Sequence, residues 1–281
     1  MQQHVSQPRI GLALGGGGVK GLAHIAMLKV LDEFKITPSK IVGSSMGAIL
    51  GALYASGLSG QAIEQRVKQH IILPGQAFKD IFQQRKHLLK WAKVFSFSQH
   101  RGGILAADGL FEHLFFELRD IDFKDLNLRF SAMATDYHTA EEVELDSGEL
   151  LSAILASMAI PGVFAPVKRD QRLLIDGGTV NNLPCDRLPD SDLRIASDVI
   201  TLAPSREPKA SQALIDAVSI VLTHNTRQRI NACPPDLLFK PDTSGIDVFD
   251  FLKIREALAR GEEEAETFRK RLRSVIDPQI D

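Results

Sequence analysis

The sequence predicts an α/β fold of three layers, with helices on both faces of a largely parallel sheet. Two observations point there. Short apolar, β-branched segments alternate along the chain with segments whose apolar residues recur at helical spacing. Several of the strand-like segments also end in glycine-containing turns that run straight into a helix, the build of βαβ units. A hydrophobic content of 44% over 281 residues is enough for one substantial core.

The elements follow in order. Ile10 to Leu14 is an apolar strand broken by Gly15 to Gly18. Leu22 to Phe34 carries Ile25, Leu28 and Leu31 at helical spacing. Ile41-Val42 is a short strand after Pro38, and Met46 to Gly57 a small-residue helix closed by glycine. Gln61 to His70 and Asp108 to Leu118 read as helices, the latter with Asp108 as N-cap. Leu128 to Thr135 and Glu141 to Leu145 pair through a polar turn. Leu150 to Met158 is a helix stopped by Pro161-Gly162. Val163 to Val167 and Arg172 to Ile175 read as a strand pair around the turn Lys168 to Gln171. Ile195 to Leu202 is a strand, Ser211 to Ile230 a long helix, Leu237 to Lys240 a short strand and Phe249 to Leu272 a charged amphipathic helix. No repeat or low-complexity linker divides the chain. Residues 1–281 therefore read as one domain, with a motif-bearing core at about 8–203 and a C-terminal helical part at about 204–281.

Composition excludes some classes. Net charge is −2, so there is no global basic field for nucleic acid. The two cysteines, Cys185 and Cys233, have no metal or C-x-x-C spacing, and their scarcity suits a reducing compartment. The start MQQHVSQPRI lacks a basic region followed by an apolar one, and the apolar stretch Met46 to Leu58 is too short to span a bilayer. The reading is a cytoplasmic protein, with any membrane contact peripheral and at the inner face. Residues 84–105, QRKHLLKWAKVFSFSQHRGGIL, are the candidate for it: basic, free of acids and carrying the single Trp, Trp91. The competing reading is a solvated helix face docked by its apolar side.

Chemistry enters at Gly43-Ser44-Ser45-Met46-Gly47, a G-x-S-x-G between a strand and a helix. That context is the nucleophile elbow, with Ser45 on the sharp turn and the positive end of a helix behind it. Upstream, GLALGGGGVKG places Gly16, Gly18 and Gly21 in G-x-G-x-x-G spacing. A dinucleotide site would need an acid at the end of the second strand, where this chain has Gly43-Ser44-Ser45. A P-loop would need Gly-Lys-Ser/Thr, whereas Lys20 stands between Val19 and Gly21. The remaining use is an oxyanion hole, in which glycine amides converge on one point. A serine also needs a base. Asp176 in LLIDGGTVNNLP ends a strand and precedes Gly177-Gly178; the bland alternative is a turn aspartate in a hairpin.

GGGGVKG, GSSMG and DGG, in that order, resemble the oxyanion loop, elbow and acid of patatin-like phospholipases. ASMAIPGVFAPV, NNLP and MATDYHTAEEV are similar to bacterial single-domain members, and the likeness runs from about residue 8 to about 203. It implies the patatin-like α/β/α fold and a lipid or lysophospholipid carboxyl ester as substrate. It implies Ser45 as nucleophile and Asp176 as its sole base, with oxyanion donors at Gly16, Gly17 and Gly18. Lys20 and Gly21 would support that loop. No metal and no organic cofactor are implied. Gly15 stands where plant members often have Asp, which leaves the dyad untouched. Two rivals remain. A triad hydrolase could use Ser45, Asp176 and His224 in the order Ser, acid, His, although His224 lies midway along a helix. A non-catalytic membrane-docking or regulatory module could keep the same fold. The other histidines, His4, His24, His70, His87, His100, His113 and His138, read as surface or packing residues.

Overall fold

The structure, a computed structural model, describes residues 8–69, 111, 113–202 and 210–276. The basic stretch 84–105 and the start of the helix expected from Asp108 lie outside the described residues; residues 113–116 are helical.

The chain opens with β1 (Ile10–Leu14), a 3-10 turn (Gly18–Ala23), α1 (His24–Glu33), β2 (Lys40–Ser44), α2 (Met46–Ala55) and α3 (Gly60–Gln69). Next come β3 (Phe130–Asp136), β4 (Glu142–Leu145), α4 (Leu150–Ser157), β5 (Val167–Arg169), β6 (Arg172–Asp176) and β7 (Leu193–Ser197). Then α5 (Ala210–Ala232), β8 (Leu237–Phe239) and α6 (Ile254–Ile276) complete it. β3, β2, β1, β7 and β8 form a parallel sheet in that order, while β4, β6 and β5 add antiparallel strands at the β3 end.

Alternation along the strands separates two cores. Leu12 and Leu14 of β1, Ile41 of β2, Ala132 of β3, Ile195 of β7 and Phe239 of β8 face one large cluster, shared with α1, α2, α4 and α6. The neighbours of opposite parity, Ala13, Val42, Met133, Ala196 and Leu238, face a smaller cluster closed by Leu183, Cys185 and Leu188 and by Ile230 and Cys233 at the end of α5. Burial on both faces is why these strands read as continuous apolar runs. The result is the three-layer α/β/α architecture that the alternation predicts. Helix α2, MGAILGALYA, is buried on every side. Its apolar run is a core helix, and among the described residues no helix is long and apolar enough to cross a membrane.

One feature of the register positions the site. On β3, Ser44 of β2 lies opposite Met133, and Asp176 of β6 opposite Ala134. β4 occupies the other edge of β3 over the same residues. β2 and β6 therefore share one edge of β3, approach from opposite directions and stop one residue apart. The parallel strand carries the chain into Ser45 at the point where the antiparallel strand delivers Asp176.

Two strand boundaries differ most from expectation. The strand expected over Val163 to Val167 begins only at Val167. The Val163 and Phe164 amides instead turn back to the Ile160 carbonyl, at 3.0 and 2.9 Å, and Pro166 has no N–H for a ladder. β7 stops at Ser197 rather than Leu202. There the Asp198 side chain accepts the Ile200 amide at 3.1 Å, a local turn that competes with the sheet.

The C-terminal helix packs along α1 and the turn 18–23, with Ala257, Leu258, Gly261, Ala265, Phe268 and Leu272 as its buried seam. A Cβ at Gly261 would stand 2.6 Å from the Ala23 carbonyl oxygen. Helix propensity alone favours Gly261→Ala by about 1 kcal/mol; overpacking costs about 1–3 kcal/mol. We expect the clash to win and Gly261→Ala to lower stability in urea denaturation. A net gain would show that α6 does not seat this closely.

Candidate active site

Ser45 is the residue at which β2 becomes α2. Its φ of 52° and ψ of −120° are a conformation that side chains avoid, at a cost of about 1–3 kcal/mol. Three contacts hold it there. Its amide donates to Ser157 Oγ at 2.9 Å. Its carbonyl accepts the amides of Ala48 and Ile49 in the first turn of α2. A Cβ on Gly47 would run into the Leu14 and Gly15 carbonyls, so only glycine lets α2 begin this close to β1. Ser44 points the other way: its hydroxyl is buried near Gly177 and has no hydrogen-bond partner among the described residues.

Asp176 is buried at the end of β6, 7% exposed. Oδ1 accepts the Gly178 amide at 2.8 Å. Oδ2 has no hydrogen-bond partner among the described residues. Ser45 is close enough to act on the carboxylate, although the contact falls short of a formed hydrogen bond. Burial is the dominant influence and pushes the Asp176 pKa up from 3.8 to about 7; the Ser45 hydroxyl and the Gly178 amide oppose it in part. The last residue of α4 and the segment just after it hold both residues. Ser157 takes the Ser45 amide, and the Ala159 carbonyl accepts the Asp176 amide at 3.0 Å. Ser157 was not legible as a site residue, because nothing local in ASMAIPG reports a partner 112 positions away.

The glycine loop lies against Ser45, and it corrects one expectation. The Gly16 amide donates to the Asn182 carbonyl at 3.1 Å and is not a free donor. Gly16 is needed for space instead: a Cβ there would stand 2.6 Å from Asn182 Oδ1 and 3.2 Å from Ser45 Cβ. The amides of Gly17 and Gly18 carry no hydrogen bond among the described residues. Gly18 has φ of +54°, and a Cβ there would run into the Val248 carbonyl. Lys20 braces the loop: its backbone amide closes a turn on the Gly17 carbonyl at 3.1 Å, and Nζ donates to the Thr201 carbonyl at 3.0 Å. Burial lowers its pKa. Gly21 leaves room for the Met46 side chain.

A pocket opens over Ser45 and Gly18. Met46 and Ile49 of α2 form one wall, Met158, Ile160, Val163 and Phe164 another, and Phe111, Phe249 and Phe251 the rest. Ser45 is the single polar side chain among these. Phe111 and Phe251 meet edge to face at 5.4 Å between ring centres. His224 lies on α5 with its side chain exposed, and no histidine is among the groups that act on Asp176. Among the described residues no cluster of His, Cys, Asp and Glu could hold a metal ion.

A family model described as patatin-like phospholipase matches residues 12–189. An uncharacterised NTE-family protein of Mycobacterium tuberculosis is 33% identical over 195 residues, which cover 68% of this chain and 49% of that protein. The neuropathy target esterase of Drosophila melanogaster is 29% identical over 180 residues, 63% of this chain and 12% of that protein. The chain thus spans about half the length of the first relative and a small part of the second. Among solved structures, VipD from Legionella pneumophila aligns with a TM-score of 0.49 and 12% identity over 94% of this chain and 67% of its own.

The burial of Asp176 has a consequence for stability. Its folded pKa lies above its unfolded value, so the unfolded chain binds fewer protons between about pH 4 and pH 7. The protonated form is stabilising below that window, and the contribution is lost as pH rises through about 7. Asparagine keeps the shape without the charge. We expect Asp176→Asn to be more stable than wild type, with the gain growing by up to about 3 kcal/mol between pH 5 and pH 8. Denaturation at the two pH values measures this. A pH-independent difference would mean that Asp176 does not titrate as a buried acid.

Proposed function

The chain belongs to the patatin-like phospholipase family, and from that premise we propose that it is a serine acyl hydrolase acting on lipid or lysophospholipid carboxyl esters. The observation that carries the proposal is a strained, buried serine beside a buried aspartate whose pKa is about 7. A carboxylate near its ordinary value is a poor base for serine, and one raised to neutrality is matched to the task.

In the proposed reaction Asp176 accepts the Ser45 hydroxyl proton as Oγ attacks the ester carbonyl. The oxyanion forms against the free amides of Gly17 and Gly18, each worth about 3 kcal/mol if aimed correctly. Collapse expels the alcohol, which takes the proton from Asp176. Water then attacks the acyl-enzyme, again with Asp176 as base, and releases the fatty acid and Ser45. The apolar pocket over Ser45 suits an acyl chain. The residues beyond 203 are read as part of the same catalytic domain, because Phe249 and Phe251 wall that pocket. Contact with a lipid surface is proposed to be peripheral. The exposure of His224 speaks against the triad reading, and the strain kept at Ser45 speaks against a purely docking role.

Two sets of experiments test this. Ser45→Ala should abolish p-nitrophenyl ester hydrolysis and fluorophosphonate labelling, while Ser44→Ala keeps both. Wild-type kcat/KM should fall about tenfold per pH unit below pH 7, since only ionised Asp176 can take the proton. Label mapped to another serine, or no ester turnover at all, would overturn the assignment. The second set separates dyad from triad. His224→Ala should retain turnover within about tenfold of wild type, against the several orders of magnitude that loss of a triad histidine costs. A folded but dead His224→Ala would place the chain with triad hydrolases.

A further inference from the structure

The glycine loop has a weakness that its composition creates. A peptide plane between glycines flips at low cost, because no Cβ opposes the new φ and ψ. Uncompensated rotation about the glycine torsions on either side of the Gly15–Gly16 plane would shift the Gly17 and Gly18 amides that follow. That plane is held on both edges. Its carbonyl, Gly15 O, lies 2.8 Å from His24 Nε2. Its amide donates to Asn182 O at 3.1 Å. One step upstream, the Gly15 amide donates to Ser197 O at 3.0 Å. The Ser197 hydroxyl closes the ring, 2.6 Å from His24 Nδ1.

The partners fix the proton. Nε2 faces a carbonyl and must donate, so Nδ1 accepts from the Ser197 hydroxyl. Of the two neutral tautomers, only Nε2–H satisfies both. His24 is fully buried at the start of α1, and burial pushes its pKa down to about 4, which keeps the ring neutral under ordinary conditions. An apolar side chain could fill this place without the cost of desolvating an imidazole.

We propose that His24 is a positioning residue that locks the Gly15–Gly16 peptide plane, with Ser197 setting its tautomer, so that the Gly17 and Gly18 amides stay aimed at the carbon that Ser45 attacks. The inference rests on the acyl-transfer reading above. His24 is not among the residues lining the pocket and acts only through the loop.

The test uses His24→Met, which keeps bulk and loses the donor, and His24→Gln, whose amide nitrogen reaches the Nε2 position. Ser197→Ala frees the tautomer with little change in volume. On a short p-nitrophenyl ester, His24→Met should be folded by circular dichroism with kcat lowered about a hundredfold, the loss expected for one misaimed oxyanion donor. KM should stay within about threefold, because the donor acts in the transition state. His24→Gln should recover kcat to within about tenfold of wild type, and Ser197→Ala should lower it about tenfold. A trifluoromethyl ketone, which forms an oxyanion adduct with an attacking serine, should bind His24→Met more weakly by the factor lost in kcat/KM. A folded His24→Met with wild-type kcat overturns the inference, as do equal losses in the Met and Gln variants. Should His24→Met fail to fold, unchanged kcat and ketone affinity in Ser197→Ala overturn it. Wild-type protein without Ser45-dependent turnover is a separate result: it removes the acyl-transfer reading and this inference with it.

Discussion

The head-on meeting of β2 and β6 along one edge of β3 is the constraint on which the rest depends. A parallel strand and an antiparallel strand stop at Met133 and Ala134, so their next residues must turn out of the sheet within a single residue spacing. That crowding explains the glycines around the site better than flexibility does. A Cβ on Gly177 would run into the Met133 carbonyl, and one on Gly43 would stand 2.6 Å from the Ala48 amide nitrogen. It also explains why Ser45 has a positive φ. The chain must reverse from strand to helix in one residue, and strain of about 1–3 kcal/mol at that residue is small beside the burial of α2 on every side.

Burial then serves two ends at once. The apolar surroundings that suit an acyl chain sit beside the acid. Desolvation raises Asp176 to about 7, and the two groups that favour its charged form do not cancel it. The shift corresponds to about 4 kcal/mol of instability in the charged state, a large fraction of a domain's net stability. Lys20 shows the other outcome of burial. Its ammonium is also desolvated, but it holds the Thr201 carbonyl and has Asp247 and Asp198 near enough to favour its charge. One buried charge is braced by partners, while the other has Oδ2 unpaired among the described residues, which suits the base proposed above.

Local pattern carried the sequence reading as far as the strand ends. Ile10–Leu14, the elbow at Ser45 and the acid at Asp176 each sit in a few residues whose spacing specifies a turn, and the structure brings the two side chains to one place. What local pattern missed is long-range. Ser157 and Asn182 touch the site across 112 and 166 positions, through Ser45 and Gly16, and His24, which meets the loop at Gly15, has its second ring partner, Ser197, 173 positions away. His24 sits on an apolar helix face, where a histidine is indistinguishable from a packing residue until its two ring nitrogens are seen to have partners. Gly16 shows the converse. Its place in the glycine run suggested an amide donor, whereas close approach to Ser45 Cβ is what requires glycine. The strand boundary at Val167 was lost to a turn that depends on the Ile160 carbonyl, three residues before Val163 and outside any strand pattern.

The candidate site and its pocket draw on different stretches of the chain. Ser45, Asp176, the glycine loop and the Ser157 segment all fall within residues 12–189, the stretch that the family model matches. The pocket is shared between that stretch and the residues after it. Phe249 and Phe251 come from beyond it, and so does the Val248 carbonyl that accepts the Val19 amide at 3.0 Å and fixes the turn after Gly18. The C-terminal segment therefore touches the loop from one side and the proposed acyl pocket from the other. A reaction common to a family needs its donors, base and nucleophile in one geometry, which restricts 12–189. The wall at 249–251 need only fill space, so it is free to change size and shape without disturbing the base. Under the proposed reaction, acyl-chain discrimination would draw in part on this segment outside the family match, which is followed directly by α6, packed on the turn 18–23.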